Sequence, residues 1–192
     1  VRDTAAALDA LMQFPAAATN VANGQAWLAA ALPENLDYLA RQVGGLTDPS
    51  TAKSALLARQ NADGGWGSDT GYLSNPADTA LALKFLAQSG HPSDLAVDQA
   101  VIYLQSTQNV DGGWPVLAGG RSIVQPTAHA MMALKGYKDS YVVDTELVNA
   151  VSWLTGKQNA DGGFGNSPST IYDTSVAVSA LLAVEASRTD IE

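Results

Sequence analysis

Gln60-Asn61-Ala62-Asp63-Gly64-Gly65-Trp66 returns as Gln108-Asn109-Val110-Asp111-Gly112-Gly113-Trp114, and again as Gln158-Asn159-Ala160-Asp161-Gly162-Gly163-Phe164. The closing aromatics fall at 66, 114 and 164, so the spacing is 48 and then 50 residues. A period of this size marks a stack of one supersecondary unit. It also sorts the residues. One that recurs in every copy serves the stack, and one found in a single copy is a candidate for chemistry.

Working outward, each turn lies between two kinds of helical pattern. Before the second and third turns, Val97, Ala100, Val101 and Leu104, then Leu147, Ala150, Val151 and Leu154, follow the i, i+3, i+4, i+7 spacing of one apolar stripe. Asp98, Gln99, Asn149 and Ser152 fall off that stripe, towards water. After each turn, the segments Asp78–Ala87, Thr127–Leu134 and Thr174–Leu182 are apolar almost all round, which predicts helices enclosed on all sides. Half-exposed and enclosed helices therefore alternate, as an outer layer around an inner one. Asp3–Leu11 matches the segments at Asp78 and Asp173 and predicts a fourth enclosed helix.

Asp78 and Asp173 stand where a carboxylate caps free N–H groups and meets the positive end of the helix dipole. Pro76, Pro126 and Pro168 mark helix starts or loops. Between residues 14 and 50 the pattern degrades. Tyr38-Leu39, Gln42 and Gly44-Gly45 read there as a worn copy of the turn motif, with helices near 24–31, 34–42 and 50–60. The expectation is one α/α repeat domain over 1–192, degenerate over 1–50, with clearer repeats at 51–96, 97–143 and 144–192.

The turn residues have physical reasons. Glycines accept positive φ without a Cβ penalty, and an Asp bonds its own backbone two residues on. Gln60, Gln108 and Gln158 can reach exposed backbone in the adjacent unit, while Trp66, Trp114 and Phe164 anchor the loop. With Asp63, Gly64, Asp111, Gly112, Asp161 and Gly162 they form a structural staple. A calcium or sugar site on the three aspartates is the weaker reading, because calcium takes at least about six oxygens and each turn supplies one carboxylate.

The formal net charge is −9, with ten Lys and Arg, which argues against nucleic acid and anionic membranes as partners. Charged residues make up 15% of the chain, below the roughly 25% of an average soluble protein, which suits helices with neighbours on several sides. The absence of cysteine removes disulfides, thiolate zinc sites and a cysteine nucleophile. No apolar run has the length of a membrane span, and no cofactor or metal is called for. An acidic, Ala-rich, cysteine-free chain beginning at Val1 leans towards an exported or cell-surface location and towards being part of a longer protein.

Tyr103-Leu104, Gln108, Gly112 and Trp114, with Trp153-Leu154, Gln158, Gly162 and Phe164, fit the repeat called the QW motif. The chain thereby resembles the squalene-hopene cyclase, oxidosqualene cyclase and protein prenyltransferase β-subunit superfamily, whose fold complement-type thioester domains share. The resemblance implies an all-α fold, an α/α toroid-like stack with inner helices around a cavity. It also implies where chemistry should stand. Class II terpene cyclases protonate an alkene with the middle Asp of Asp-x-Asp-Asp-Thr-Ala. The related segment here is Asn75-Pro76-Ala77-Asp78-Thr79-Ala80, so Ala77 takes the donor position, and the other copies place Gln125 and Tyr172 there. No copy carries the acid on this reading. The prenyltransferase zinc set and the thioester pair both need a cysteine. The Gly112-Gly113-Trp114-Pro115 turn also occurs in toroidal polysaccharide lyases, a short match.

The remaining candidates occur singly or near inner-helix starts. His129, on an otherwise apolar helix beginning at Pro126, is a core or cavity-lining histidine, or a general base or ligand contact. Arg121 is a solvated loop charge or an anion contact at a cavity mouth. Tyr72 and Tyr172 would share a rim with Asp78 and Asp173. The expected function is a non-catalytic scaffold or binding module. Its partners would be other domains of a longer chain, a partner protein, or a hydrophobic or carbohydrate ligand. The alternative is a divergent terpene cyclase or lyase-like enzyme whose catalytic residues lie elsewhere.

Overall fold

The computed structural model describes residues 1–184, so residues 185–192 of the last expected repeat lie outside the described residues. All regular elements among these are helical: α1 (Arg2–Leu11), a 3-10 turn (Pro15–Ala17), α2 (Ala18–Ala30), α3 (Leu36–Gly45), α4 (Ser50–Leu57), α5 (Pro76–Gln88), α6 (Leu95–Thr107), α7 (Val124–Gly136), α8 (Asp144–Thr155) and α9 (Ile171–Ala183). The inner row runs α1, α3, α5, α7, α9, each packed on the next. The outer helices α2, α4, α6 and α8 lie on α1, α3, α5 and α7 in turn. Each motif turn thus carries the chain from an outer helix, which lies on one inner helix, to the start of the neighbouring inner helix. None of the described helices is long and apolar enough to cross a membrane.

The stripe residues Val97, Ala100, Val101 and Leu104 are buried, and Asp98, Gln99, Asn149 and Ser152 are exposed, as their spacing requires. α5 and α7 bury most of their surface. α9 does not. Tyr172, Ser175, Ser179 and Leu182 are exposed on it, because among the described residues only α7 flanks it in the inner row. The expectation of enclosure on all sides fails there, and at α1, where only Ala5 and Leu8 are buried.

Three local readings also change. Tyr38 to Gly45 is not a worn turn but the body of α3, a fifth inner helix. Its buried Gln42 donates to the carbonyls of Leu28 and Ala31 at 2.8 and 2.6 Å, capping α2 instead of clasping a turn. The N-caps of α5 and α9 are Asn75 and Thr170, whose side chains accept from the backbone N–H of Asp78 and Asp173. The two aspartates lie one turn inside, and their carboxylates accept a bond donated by the same cap side chain. The third change concerns α7, which starts at Val124, two residues before Pro126.

The three turns superimpose in chemistry. The Trp66 and Trp114 rings are fully buried, and each indole N–H donates 2.8 Å to an outer-helix carbonyl, of Leu56 and of Leu104. The backbone N–H of Trp66, Trp114 and Phe164 donates to the hydroxyl of Thr79, Thr127 and Thr174, in the first turn of the following inner helix. Asp63, Asp111 and Asp161 accept from the backbone N–H two residues on and from Ser74, Ser122 and Ser169. Gln60 and Gln108 each bridge their own turn to the next outer helix. Each turn is thereby pinned to the helix it precedes, which sets the height of every residue on the inner face.

Candidate functional site

That common pinning brings one register into alignment. Two residues before, two after and five after the bonding threonine stand Ala77, Leu81 and Lys84 on α5, then Gln125, His129 and Met132 on α7. On α9 the same offsets give Tyr172, Val176 and Ser179. All nine line two adjoining cavities along the inner row. The wider, of about 440 Å³, is walled by Arg2, Asp37, Arg41, Ala77, Asp78, Leu81, Gln125, His129 and Tyr172. The narrower, of about 180 Å³, adds Lys84, Met132, Ser175, Val176 and Ser179.

The sequence-derived candidates separate. Asp78, His129 and Tyr172 line the wider cavity, and Asp173 reaches it through Gln125, whose amide donates 2.9 Å to its carboxylate. Tyr72 does not join them. It lies exposed in the loop before α5, so the shared rim with Tyr172 does not form. Arg121 lines a separate groove of about 600 Å³ between the second and third turns, with Asp111, Trp153 and Lys157. That groove reaches the start of α7 at Ile123 and Val124, but Arg121 lines neither of the two cavities along the inner row.

Four charged wall residues escaped sequence reading: Arg2, Asp37, Arg41 and Lys84. Asp37 follows the N-cap Asn35 by two residues, as Ala77 follows Asn75, so α3 carries an acid at the equivalent place in its first turn. Reading Tyr38 to Gly45 as a turn hid it. One oxygen of Asp37 accepts 2.8 Å from Arg41 Nε and the other accepts from Arg2, so neither is presented to the cavity as a free acid. The i, i+4 pairing of Asp37 with Arg41 was the available signal. For Lys84 the signal was a lone cation on an apolar helix.

The cavity perturbs its own groups. Burial raises the Asp78 carboxyl above the ordinary aspartate range. The Asn75 amide pulls it back and Asp37 pushes it further up. Burial draws the Lys84 ammonium down, Arg41 adds repulsion, and Asp9 offsets part of both. Burial draws His129 down to about 3, with Lys84 and Arg41 acting in the same direction, so its ring is neutral at pH 7. Its Nδ1 is buried and finds no partner among the described residues.

The squalene-hopene cyclase C-terminal domain family is matched over residues 76–190, more than half of the chain. The chain belongs to this family. A drimenyl diphosphate synthase of Streptomyces showdoensis is 36% identical over 137 residues, covering 69% of this chain and 25% of that protein. A (+)-kolavenyl diphosphate synthase of Herpetosiphon aurantiacus is 29% identical over 134 residues, covering 64% and 24%. A probable squalene–hopene cyclase of Sinorhizobium fredii is 30% identical over 122 residues, covering 62% and 17%. This member of the squalene-hopene cyclase C-terminal domain family thus spans about a quarter or less of the curated relatives it matches. The solved ent-copalyl diphosphate synthase from Streptomyces platensis aligns with a TM-score of 0.65 at 19% identity, over 83% of this chain and 33% of that one. That likeness bears out the α/α toroid terpene cyclase fold.

Proposed function

We propose that this terpene cyclase-like domain binds an isoprenoid ligand along the inner row of its helices and contributes no alkene-protonating acid of its own. One observation carries the reading. Ala77 puts a methyl group on the cavity wall at the height where the resembling cyclases place their acid. Protonating an alkene needs a positioned carboxylic acid, and the acid at that height on α3 already serves two arginines. Leu81, Met132 and Val176 supply apolar wall for a hydrocarbon chain. The names of the relatives support an isoprenoid diphosphate as the ligand class.

Titration calorimetry of the full chain with farnesyl and geranylgeranyl diphosphate tests this, with extraction and mass spectrometry for cyclised product. Binding without product is the expected result. Absence of binding, or a cyclised product that disappears in Asp78→Asn, overturns it. The second outcome would establish the divergent-cyclase alternative, which the burial-raised carboxyl of Asp78 favours.

A further inference from the structure

The groove of about 600 Å³ between the second and third turns shares no wall residue with either cavity of the inner row. Asp111 and its neighbours in the second turn form one side. Gly165 and Asn166, directly after the third turn, form the other. The loop that holds them is short. The turn aromatic and its bonding threonine are 13 residues apart in the first two copies and 10 apart in the third.

Two cations line this groove, and the repeat accounts for neither. Arg121 stands directly before the serine that bonds the turn aspartate, a place held by Leu73 and Pro168 in the other copies. Lys157 stands directly before the clasp glutamine. The second copy has Thr107 there, and the first has Arg59, paired with Asp69 at 3.5 Å. No carboxylate among the described residues lies within salt-bridge distance of Arg121 or Lys157. The Lys157 Nζ rests over the Trp153 ring, 5.1 Å from its centre.

Asp111 is the only carboxylate among the described wall residues, and the turn already uses it. One oxygen accepts from the Gly113 N–H at 3.0 Å and from the Ser122 hydroxyl at 2.6 Å, and the other accepts from the Trp153 indole N–H at 3.0 Å. Two positive charges therefore face one engaged negative charge, in a chain whose formal net charge is −9. Arg and Lys together suit a carboxylate, the first as a planar fork and the second as a compact charge.

The amides narrow the ligand further. The Gln108 side-chain N–H groups are spent on the carbonyls of Gly112 and Glu146, and those of Asn109 on the Gly120 carbonyl and the Ser122 hydroxyl. What these two side chains have left is their carbonyl oxygens, which accept no bond among the described residues. Asn166, on the other wall, has a whole amide to offer. A hydroxyl rotates to donate or to accept, so it suits both walls. Ile123 and Val124 add carbon surface, and the volume is of the order of small-molecule sites.

We propose that this groove binds a polyhydroxylated carboxylate, a sugar acid either free or at the end of an acidic saccharide. Arg121 and Lys157 hold the carboxylate, and Gln108, Asn109 and Asn166 take the hydroxyls. The site goes beyond the isoprenoid reading and shares no residue with it. Galacturonate, trigalacturonate, galactose and triglutamate, each titrated into the full chain and followed through the four tryptophan indole N–H signals by NMR, test it. Galacturonate is expected to shift the Trp153 signal and to leave that of Trp27, exposed on α2, unmoved. Galactose should bind at least about tenfold more weakly, and Arg121→Gln and Lys157→Met should each weaken galacturonate by about as much. Tighter binding of trigalacturonate supports a saccharide end as the source, and equal binding supports the free acid. No shift at Trp153, equal affinity for galactose, or unchanged affinity in both variants overturns the site. Triglutamate binding more tightly than trigalacturonate replaces the sugar acid with an acidic peptide and overturns the proposal too. Should Lys157→Met disturb the packing of Trp153, Arg121→Gln, in an exposed loop, decides alone.

Discussion

The side-chain amide of Gln108 donates 2.9 Å to the main-chain carbonyl of Glu146, a residue of the next outer helix. The same amide donates 2.8 Å to Gly112 in its own turn. One side chain therefore ties a turn to itself and to the following repeat, and stacking becomes a property of the clasp as much as of the apolar stripe. Gln108→Leu keeps the bulk and strands both carbonyls. It should lower unfolding free energy by about 1–3 kcal/mol in urea titration. Gln13→Leu, at an exposed glutamine away from the turns, should shift little. Equal shifts would remove the clasp as a source of stability.

Gly112 and Gly119 both have positive φ, at 93° and 79°, but only one is crowded. A Cβ on Gly112 would lie 2.5 Å from the Asn149 carbonyl oxygen on α8, whereas nothing stands within 4 Å of one on Gly119. Gly119→Ala should cost roughly 1–2 kcal/mol of backbone strain. Gly112→Ala adds a clash with backbone that cannot swing away, and should cost distinctly more. Thermal unfolding of the pair checks the ordering, and similar losses would show that α8 yields freely.

The hydroxyl of Thr127 accepts 2.8 Å from the buried backbone N–H of Trp114. Thr127→Val preserves shape and strands that donor, for an expected cost of about 1–3 kcal/mol. Thr127→Ser keeps the oxygen and should retain the amide's protection in hydrogen exchange. Unchanged protection of Trp114 in the valine variant would disprove the bond's role.

His129 should impose an acid sensitivity of known sign. Its folded value of about 3 lies below the ordinary histidine range, so the unfolded chain binds the proton more readily. Stability is therefore complete above about pH 6.5 and falls as pH drops towards 3. His129→Gln should flatten that decline relative to the parent in urea midpoints measured from pH 7 to 4. Asp9 and Asp78, whose folded values are raised by burial, act in the opposite direction in both proteins and cancel in the comparison. Parallel pH profiles would mean that the ring is protonated in the folded state.

Much of this fold is readable in one dimension, because its stabilising contacts are local and recur. The Asp-Gly-Gly-aromatic turn needs its first glycine at positive φ and its second for close approach of a serine side chain, and its Gln reaches backbone in the neighbouring copy. The stripe on α6 states its own burial. The region before residue 50 misled for a physical reason. Gly44 and Gly45 sit inside α3 where packing leaves no room for side chains. A Cβ on Gly44 would meet the Phe85 ring at 2.2 Å, and one on Gly45 would meet Leu28 at 2.7 Å. The glycines serve helix approach there, not a turn, and composition cannot tell the two apart.

The repeat dictated paired helices, the turn network and the height of each residue along an inner helix, since these follow from bonds within one unit and to its neighbour. Which residues share a cavity was decided only by assembling the inner row. Arg2, Asp37, Lys84, His129 and Tyr172 come from five separate helices, and no local rule links them. Their convergence, and the burial that perturbs Lys84 and His129, arise from the packing of the inner helices on one another. That packing is a sum over many small side-chain choices that no single segment encodes.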